Sequence, residues 1–241
     1  MRSADIAKIV MLSLAVGTAA IGTATSLDAM QNIRTETVTL LTAQFDPREV
    51  VKIEGGDFHF APGQVAPVHR HHAPAVGYVA KGHILYQVEG GQPVILSEGE
   101  AFYEPTDHRI LRFDNASATH EAIFVDFNFQ QAGEPFIDFE QSPAEHIDRR
   151  AFETAAGFVK TVSSVHVAEI TIAADDLVIP DAGALLVAYV AEGVVEVRTD
   201  GAMPAAYSAG DSIALGDVTK EVVLANPSAT TRSKLIIFSA R

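Results

Sequence analysis

The chain of 241 residues contains no cysteine, which excludes disulfides, zinc–thiolate sites and cysteine nucleophiles. Cations are also scarce, with 17 Lys and Arg against 31 Asp and Glu and a formal net charge of −14. Because nucleic-acid affinity comes mainly from Lys and Arg on phosphates, no nucleic-acid partner is expected. An acidic surface likewise disfavours anionic lipid headgroups. The sequence has no long charged or low-complexity tract, and its 48% hydrophobic content is typical of a folded globular protein.

The longest apolar run stands at the N-terminus. Arg2 and Lys8 precede an apolar stretch over 9–24 that ends in small residues. A basic start, an apolar middle and a small-residue exit are typical of a secretory signal. We expect an exported, periplasmic or extracellular protein in which residues 1–29 are a signal peptide or a retained anchor. Cleavage could follow Ala24 or Ala29, and no membrane contact is expected beyond this segment, because no other stretch could span a bilayer.

An internal repeat with a constant spacing of 111 residues dominates the rest of the sequence. Segment 77–82 (GYVAKG) corresponds to 188–193 (AYVAEG), and segment 115–119 (NASAT) corresponds to 226–230 (NPSAT). The correspondence needs no gap from Tyr78 to Phe127. A constant offset over this length predicts two homologous domains of about 100 residues each.

Each repeat is predicted to be all-β. Short runs rich in β-branched and aromatic residues, such as 84–88 and 122–127, alternate with turn signals such as Glu89-Gly-Gly91. Regular short strands separated by such turns indicate a sandwich or a barrel.

The stretch between the repeats lacks this alternation. Ser142 followed by Pro143 could cap a short helix there. We expect an N-terminal domain over 35–140, a linker over 141–157 that could be helical, and a C-terminal domain over 158–241.

Candidate chemistry begins with the segment His69-Arg70-His71-His72. His69 and His71 are two positions apart, so on a β-strand both imidazoles would lie on one face. Two convergent imidazoles can bind Fe, Zn, Cu or Ni. A polar surface turn that happens to be rich in histidine is the alternative at this point.

The pattern around these histidines resembles the first motif of the cupin family, in which a glycine precedes a His-x-His pair, a glutamate and a second glycine. Gly63, His69, His71 and Gly82 stand at the matching positions, but the glutamate position is Ala75. The resemblance implies two tandem cupin-type antiparallel β-barrels of the jelly-roll kind. It also implies a divalent transition metal, with Fe(II) first and Zn, Mn, Ni or Cu as alternatives.

The second cupin motif is matched in part by Gly99, Pro105 and Asn115. An ungapped count places Ile110 where the family has a histidine, and His108 lies two residues earlier on the same face of an extended strand. The resemblance therefore implies a third metal ligand beside His69 and His71, for which His108 is the candidate; an exposed loop histidine is the alternative.

Two charged residues near the second motif are candidates for catalysis. Glu104 could enter the barrel and replace the missing glutamate, or act as a general base; a solvated edge residue is the alternative. Arg112 could hold a substrate carboxylate in a bidentate pair, or be ordinary surface charge.

The second repeat lacks this chemistry, because Pro180 and Ala182 stand where the first repeat has its two histidines. We expect a degenerate, structural C-terminal barrel. The resemblance favours a metal-dependent, dioxygenase-like enzyme for a small organic substrate. A non-catalytic module that binds a sugar or organic acid is the alternative, which the missing glutamate favours. Cupin sheets often pair edge to edge, so a homo-oligomer is a further expectation.

Overall fold

The computed structural model describes residues 35–173, the backbone of 177–178, and residues 183–241. The expected signal segment over 1–29, and the positions of Pro180 and Ala182, lie outside these ranges. None of the described residues forms a helix with the length and hydrophobicity of a membrane span.

Eighteen strands make up the regular structure of the described residues. The first ten are β1 (Glu36–Phe60), β2 (His69–Arg70), β3 (Ala75–Lys81), β4 (His83–Val88), β5 (Val94–Ser97), β6 (Ala101–Glu104), β7 (Ile110–Asn115), β8 (Ala122–Gln130), β9 (Asp138–Phe139) and β10 (Asp148–Ala151). The other eight are β11 (Ala155–Ile172), β12 (Leu177–Val178), β13 (Leu185–Glu192), β14 (Val194–Thr199), β15 (Ala205–Ser208), β16 (Ser212–Asp217), β17 (Val222–Ala225) and β18 (Ser233–Ala240).

One antiparallel sheet runs through both repeats in the order β16-β13-β18-β11-β1-β8-β3-β6. Residues 36–50 of the long strand β1 pair with β11, whereas residues 54–60 pair with β8. A second sheet faces each half: β5-β4-β7-β2-β9 in the first repeat and β12-β17-β14-β15 in the second. The prediction of an all-β protein with two tandem antiparallel barrels is confirmed, and the two barrels share a sheet.

The internal repeat is visible in the strands themselves. Strands β4, β5, β6 and β8 begin 111 residues before β14, β15, β16 and β18, respectively. Gly82 and Gly193 follow equivalent strands and have φ values of +77° and +76°, which residues with a Cβ rarely adopt. Asn115 and Asn226 each donate a side-chain hydrogen bond to a carbonyl five residues later. The two barrels therefore have the same framework.

Alternation along β8 separates the two packing layers of the first barrel. Phe124 belongs to the aromatic cluster inside the barrel, whereas Val125 and Phe127 belong to the cluster shared with the second barrel. The ring of Phe127 lies 4.9 Å from that of Phe238 on β18. Even-numbered residues of β8 thus reach the barrel interior, and odd-numbered residues hold the barrels together.

The expectation of a helix in the linker is wrong, because β10 occupies residues 148–151 and pairs with β1. Arg149 donates to Glu54 at 3.1 Å, and Arg150 pairs with Asp57 at 2.8 Å. These contacts, together with the ladder of β1, outweigh a weak local helix signal.

Candidate metal centre

His69 lies on the short strand β2, between Ile110 of β7 and Phe139 of β9. Its side chain is buried, and its Nδ1 lies 2.8 Å from the carbonyl oxygen of Pro67. A carbonyl oxygen can only accept, so Nδ1 carries the hydrogen. The Nε2 atom of His69 is thereby left to act as a ligand.

His71 follows β2 and is held in the same way. Its Nδ1 lies 2.8 Å from both the Phe136 carbonyl oxygen and Asn128 Oδ1. Asn128 in turn donates to Asp126 Oδ2 at 3.2 Å, which fixes the orientation of the amide. The rings of His69 and His71 stand at 84° to one another with centroids 5.5 Å apart. These partners set the tautomer and the ring direction, as partners of metal-binding histidines commonly do.

Glu104 brings a carboxylate to both imidazoles from the end of β6. Its Oε2 lies 2.9 Å from His71 Nε2, and its Oε1 lies 3.7 Å from His69 Nε2. Glu104 is paired with Ala75 across β3 and β6, so its Cα lies directly opposite the position that lacks the expected glutamate. Directly opposed side chains start only about 5 Å apart. Glu104 therefore supplies a carboxylate next to the vacant motif position, from the neighbouring strand.

Opposite charges attract each other across this site. Burial disfavours the charged forms of His71 and Glu104, but the attraction between the His71 imidazolium and the Glu104 carboxylate outweighs that effect. The pKa of His71 is raised to about 9, and the pKa of Glu104 is lowered to about 2. Glu104 Oε1 is buried and has no hydrogen-bond partner among the described residues. A buried acceptor without a donor, facing the Nε2 atoms of two histidines, fits a cation that would replace the proton of His71.

A cavity opens over these three residues. Its polar wall consists of His69, His71, Glu104 and Asp126, and most of the remaining wall is aromatic or aliphatic. Burial and the negative charge of Glu104 raise the pKa of Asp126 to about 7, although the nearby His71 opposes this shift.

His108 does not join the two histidines. It is exposed, and its Nδ1 donates to the Thr106 carbonyl oxygen at 3.0 Å. Asp107, at φ +60°, lies in the turn closed by the hydrogen bond from His108 N to Pro105 O, and this turn directs His108 outward. The buried side of β7 opposite His69 is taken by Ile110. The expectation of His108 as third ligand is therefore corrected: the structure brings Glu104, not His108, to the histidines.

Arg112 does not line the cavity either. Its side chain is 47% exposed, and its Nε donates to Asp114 Oδ2. The ladder between β4 and β7 shifts register at Leu111, which is a β-bulge that reverses the alternation. Phe113 consequently reaches the cavity. The expectation that Arg112 anchors a substrate carboxylate at this site is corrected accordingly.

Asp126 and Asn128 are site residues that the sequence interpretation missed. The available signal was two polar residues at alternate positions of an otherwise apolar strand, which places both on one face. At the repeat spacing, Glu104 corresponds to Leu215 and Asp126 to Ile237; Ile237 belongs to the apolar interior of the second barrel, and the partly buried Leu215 packs against it. Among the described residues, the cluster of His69, His71 and Glu104 is the one group of three that could hold a metal ion.

Comparison with known proteins agrees with this architecture. Residues 56–128, which include His69, His71, Glu104 and Asp126, match the family described as Cupin domain. A search of curated protein sequences finds no relative that matches the chain. The match covers the part of the first repeat that carries these four residues, and the two-barrel fold agrees with it.

Solved structures share the fold at low sequence identity. Salicylate 1,2-dioxygenase from Pseudaminobacter salicylatoxidans is 16% identical with a TM-score of 0.55, over 79% of this chain and 71% of that chain. The structure of the same enzyme in adducts with gentisate has a TM-score of 0.56 at 16% identity, over 79% of this chain and 68% of that chain. Vicilin from Capsicum annuum is 9% identical with a TM-score of 0.60, over 85% and 84%. These likenesses concern the fold.

Proposed function

We propose that the protein is a metal-dependent, dioxygenase-like enzyme that acts on a small organic substrate. His69, His71 and Glu104 would hold the metal, with Fe(II) first among the divalent transition metals. The observation that carries the proposal is the convergence of two imidazoles and one carboxylate, whose ligand atoms lie within 4.8 Å of one another. Two histidines and one carboxylate with open positions are the ligand set of non-haem Fe(II) oxygenases.

The donor atoms fit such an ion. Ligand atoms around a metal at about 2.1 Å lie roughly 3 to 3.5 Å apart. The measured separations of 2.9 and 3.7 Å between Glu104 and the two Nε2 atoms bracket this range. A bound ion would supply open coordination positions at which a substrate and oxygen can meet.

The surrounding residues prepare the site for that chemistry. Asn128 and the Phe136 carbonyl hold His71 by its Nδ1, and the Pro67 carbonyl holds His69. The aromatic wall keeps the polar groups in a medium of low dielectric, which strengthens their interactions. Glu104 acts here as a ligand, which leaves Asp126 as the carboxylate of the cavity that is free for another role.

A sugar- or organic-acid-binding protein remains the competing hypothesis, and metal content separates the two. The binding-protein hypothesis was favoured because the cupin motif lacks its glutamate at Ala75. Glu104 lies opposite Ala75 and supplies a carboxylate, which weakens that argument. Stoichiometric Fe, Mn, Ni or Cu supports an enzyme. A metal-free cavity with affinity for a sugar or an organic acid supports the binding protein.

The proposal is tested with untagged protein by elemental analysis and by titration with Co(II), whose visible spectrum reports its ligands. Wild type should bind one ion per chain, and the double variant His69→Ala, His71→Ala should bind none. Glu104→Ala should weaken binding strongly, while His108→Ala, the matched control, should leave it unchanged. Loss of metal in His108→Ala together with retention in Glu104→Ala would refute the ligand set. Oxygen uptake by Fe(II)-loaded protein with a panel of small aromatic compounds then tests the activity.

A further inference from the structure

Asp126 is a buried carboxylate that the proposed metal centre does not use. It is 3% exposed and lines the cavity beside the metal cluster. Its Oδ2 accepts a hydrogen bond from Asn128 and lies 4.0 Å from His71 Nε2. Its Oδ1 is also buried but has no hydrogen-bond partner within the described part of the chain. An acceptor that is desolvated without a donor is costly, so a native role for this oxygen is expected.

The wall around Asp126 is aromatic. Phe124 is stacked on Phe58 at 4.8 Å between centroids, and it lies 4.6 Å from Phe113 and 5.1 Å from Phe60. All four rings line the cavity. Aromatic side chains pack well against a further ring in offset or edge-on contact.

The charges around the cavity limit which substituents a bound ring can carry. Among the residues that the structure describes, no Lys or Arg lines the cavity. Arg149, a cation near Asp126, donates to Glu54 Oε1 at 3.1 Å and lies 3.8 Å over the Phe136 ring. A divalent ion with the carboxylates of Glu104 and Asp126 sums to no net charge. A substrate carboxylate would therefore enter without a cation of its own and would face Asp126, which costs free energy in a dry site.

We propose that Asp126 determines specificity: its Oδ1 accepts a hydrogen bond from the hydroxyl of a neutral, single-ring phenol. The metal and the ring cage position the substrate, and Asp126 selects a donor over an anion. The inference rests on the proposed function for its catalytic meaning, but its binding test does not require turnover.

The test uses three fluorinated probes that share one ring: para-fluorophenol, para-fluoroanisole and para-fluorobenzoate. Fluorine NMR titrations are run on Zn-loaded and metal-free protein, with metal content measured separately. The phenol should bind at least about tenfold more tightly than the anisole, which lacks the donor, because a hydrogen bond to a charged group is worth that much. It should also bind more tightly than the benzoate.

Two variants and a control assign the effect to Asp126. Asp126→Ile introduces the residue found at the equivalent place in the second barrel and should abolish the preference for phenol over anisole. Asp126→Asn keeps the shape, removes the charge and should reduce the preference several-fold. Asp114→Asn is the control, because Asp114 is also a buried carboxylate with an unpartnered oxygen but does not line the cavity. It should retain the full preference.

The outcomes separate this inference from the proposed function. Benzoate binding as tightly as phenol, no binding of any probe, or an unchanged preference in both Asp126 variants would overturn the inference, whatever the metal content. A protein that binds no metal but keeps the Asp126-dependent preference would overturn the proposed function and leave the inference standing.

Discussion

Replacing Glu104 by Gln in metal-free protein tests the electrostatics of the site directly. In the folded protein, His71 and Glu104 form a buried ion pair at 2.9 Å. Removing one partner of such a pair is strongly destabilising, because the other charge is left uncompensated. His71 can avoid that cost only by losing its proton. The variant should therefore be less stable than wild type, by an amount that depends on pH.

The size of the loss follows from the pKa of His71, which is about 9 against an ordinary value of 6.5. At about 1.4 kcal/mol per pH unit, the difference corresponds to about 3 kcal/mol. Because this pKa is raised, the stabilisation is complete below the unfolded value and is lost as the pH rises through about 9. The pKa of Glu104 is lowered, so its contribution is present above 4.5 and is lost as the pH falls through about 2.

The assay is thermal and urea unfolding of chelator-treated protein at about pH 6 and again above about pH 9. In a chain of this length, about 3 kcal/mol lowers Tm by roughly 6 to 12 °C. Glu104→Gln should show that loss at the lower pH and a much smaller one at the higher pH. Glu121→Gln, which removes an exposed partner of Lys81, is the control and should cost about 1 kcal/mol or less. Equal stability of Glu104→Gln and wild type near pH 6, or a loss that does not change with pH, would refute the reasoning.

Three further predictions concern the metal and the N-terminus. Because His71 holds a proton at neutral pH, metal uptake must release it, so the apparent affinity for Zn should rise by roughly tenfold per pH unit toward a pH of about 9; a flat profile in competition titrations would contradict this. Asn128→Ala removes a partner of His71 Nδ1 and should weaken metal binding by roughly 10- to 100-fold in the same titrations, without removing a ligand. We also propose that the protein is exported, so mass analysis of the chain from its native host should find a start near Thr25 or Met30, whereas a cytosolic chain that retains Met1 would argue against export.

The framework of the fold could be predicted because it depends on local signals that repeat. Glycine turns such as Gly82 and Gly193, and strand-like runs at a constant offset, are visible one segment at a time. The carboxylate of the site was not visible in that way. Glu104 reaches the histidines only because β3 and β6 pair with Ala75 opposite Glu104. Such a pairing register is a tertiary property, and a motif read along one strand cannot contain it.

The wrong predictions for His108 and Arg112 have a related cause. His108, Ile110 and Arg112 share one face only if the backbone is regularly extended. The turn at Asp107 and the bulge at Leu111 each break that regularity, and one extra residue moves the following side chains to the opposite face. A bulge leaves little trace in the sequence, so alternation predicts the face of a residue reliably only within an uninterrupted ladder.

The two barrels show how one framework can carry both a polar site and the packing that supports it. Buried charges such as Glu104 and Asp126 cost several kcal/mol each unless they are paired. The second barrel avoids that cost, with Leu215 and Ile237 at the equivalent places. Its strand β18 instead packs on the outer face of β8, where Phe127 contacts Phe238. Since neighbouring side chains of β8 alternate between this apolar layer and the polar cavity, the packing that joins the barrels also fixes the strand on which Asp126 and Asn128 are held. The geometry of the candidate site therefore depends on the apolar second barrel, which packs on the outer face of β8.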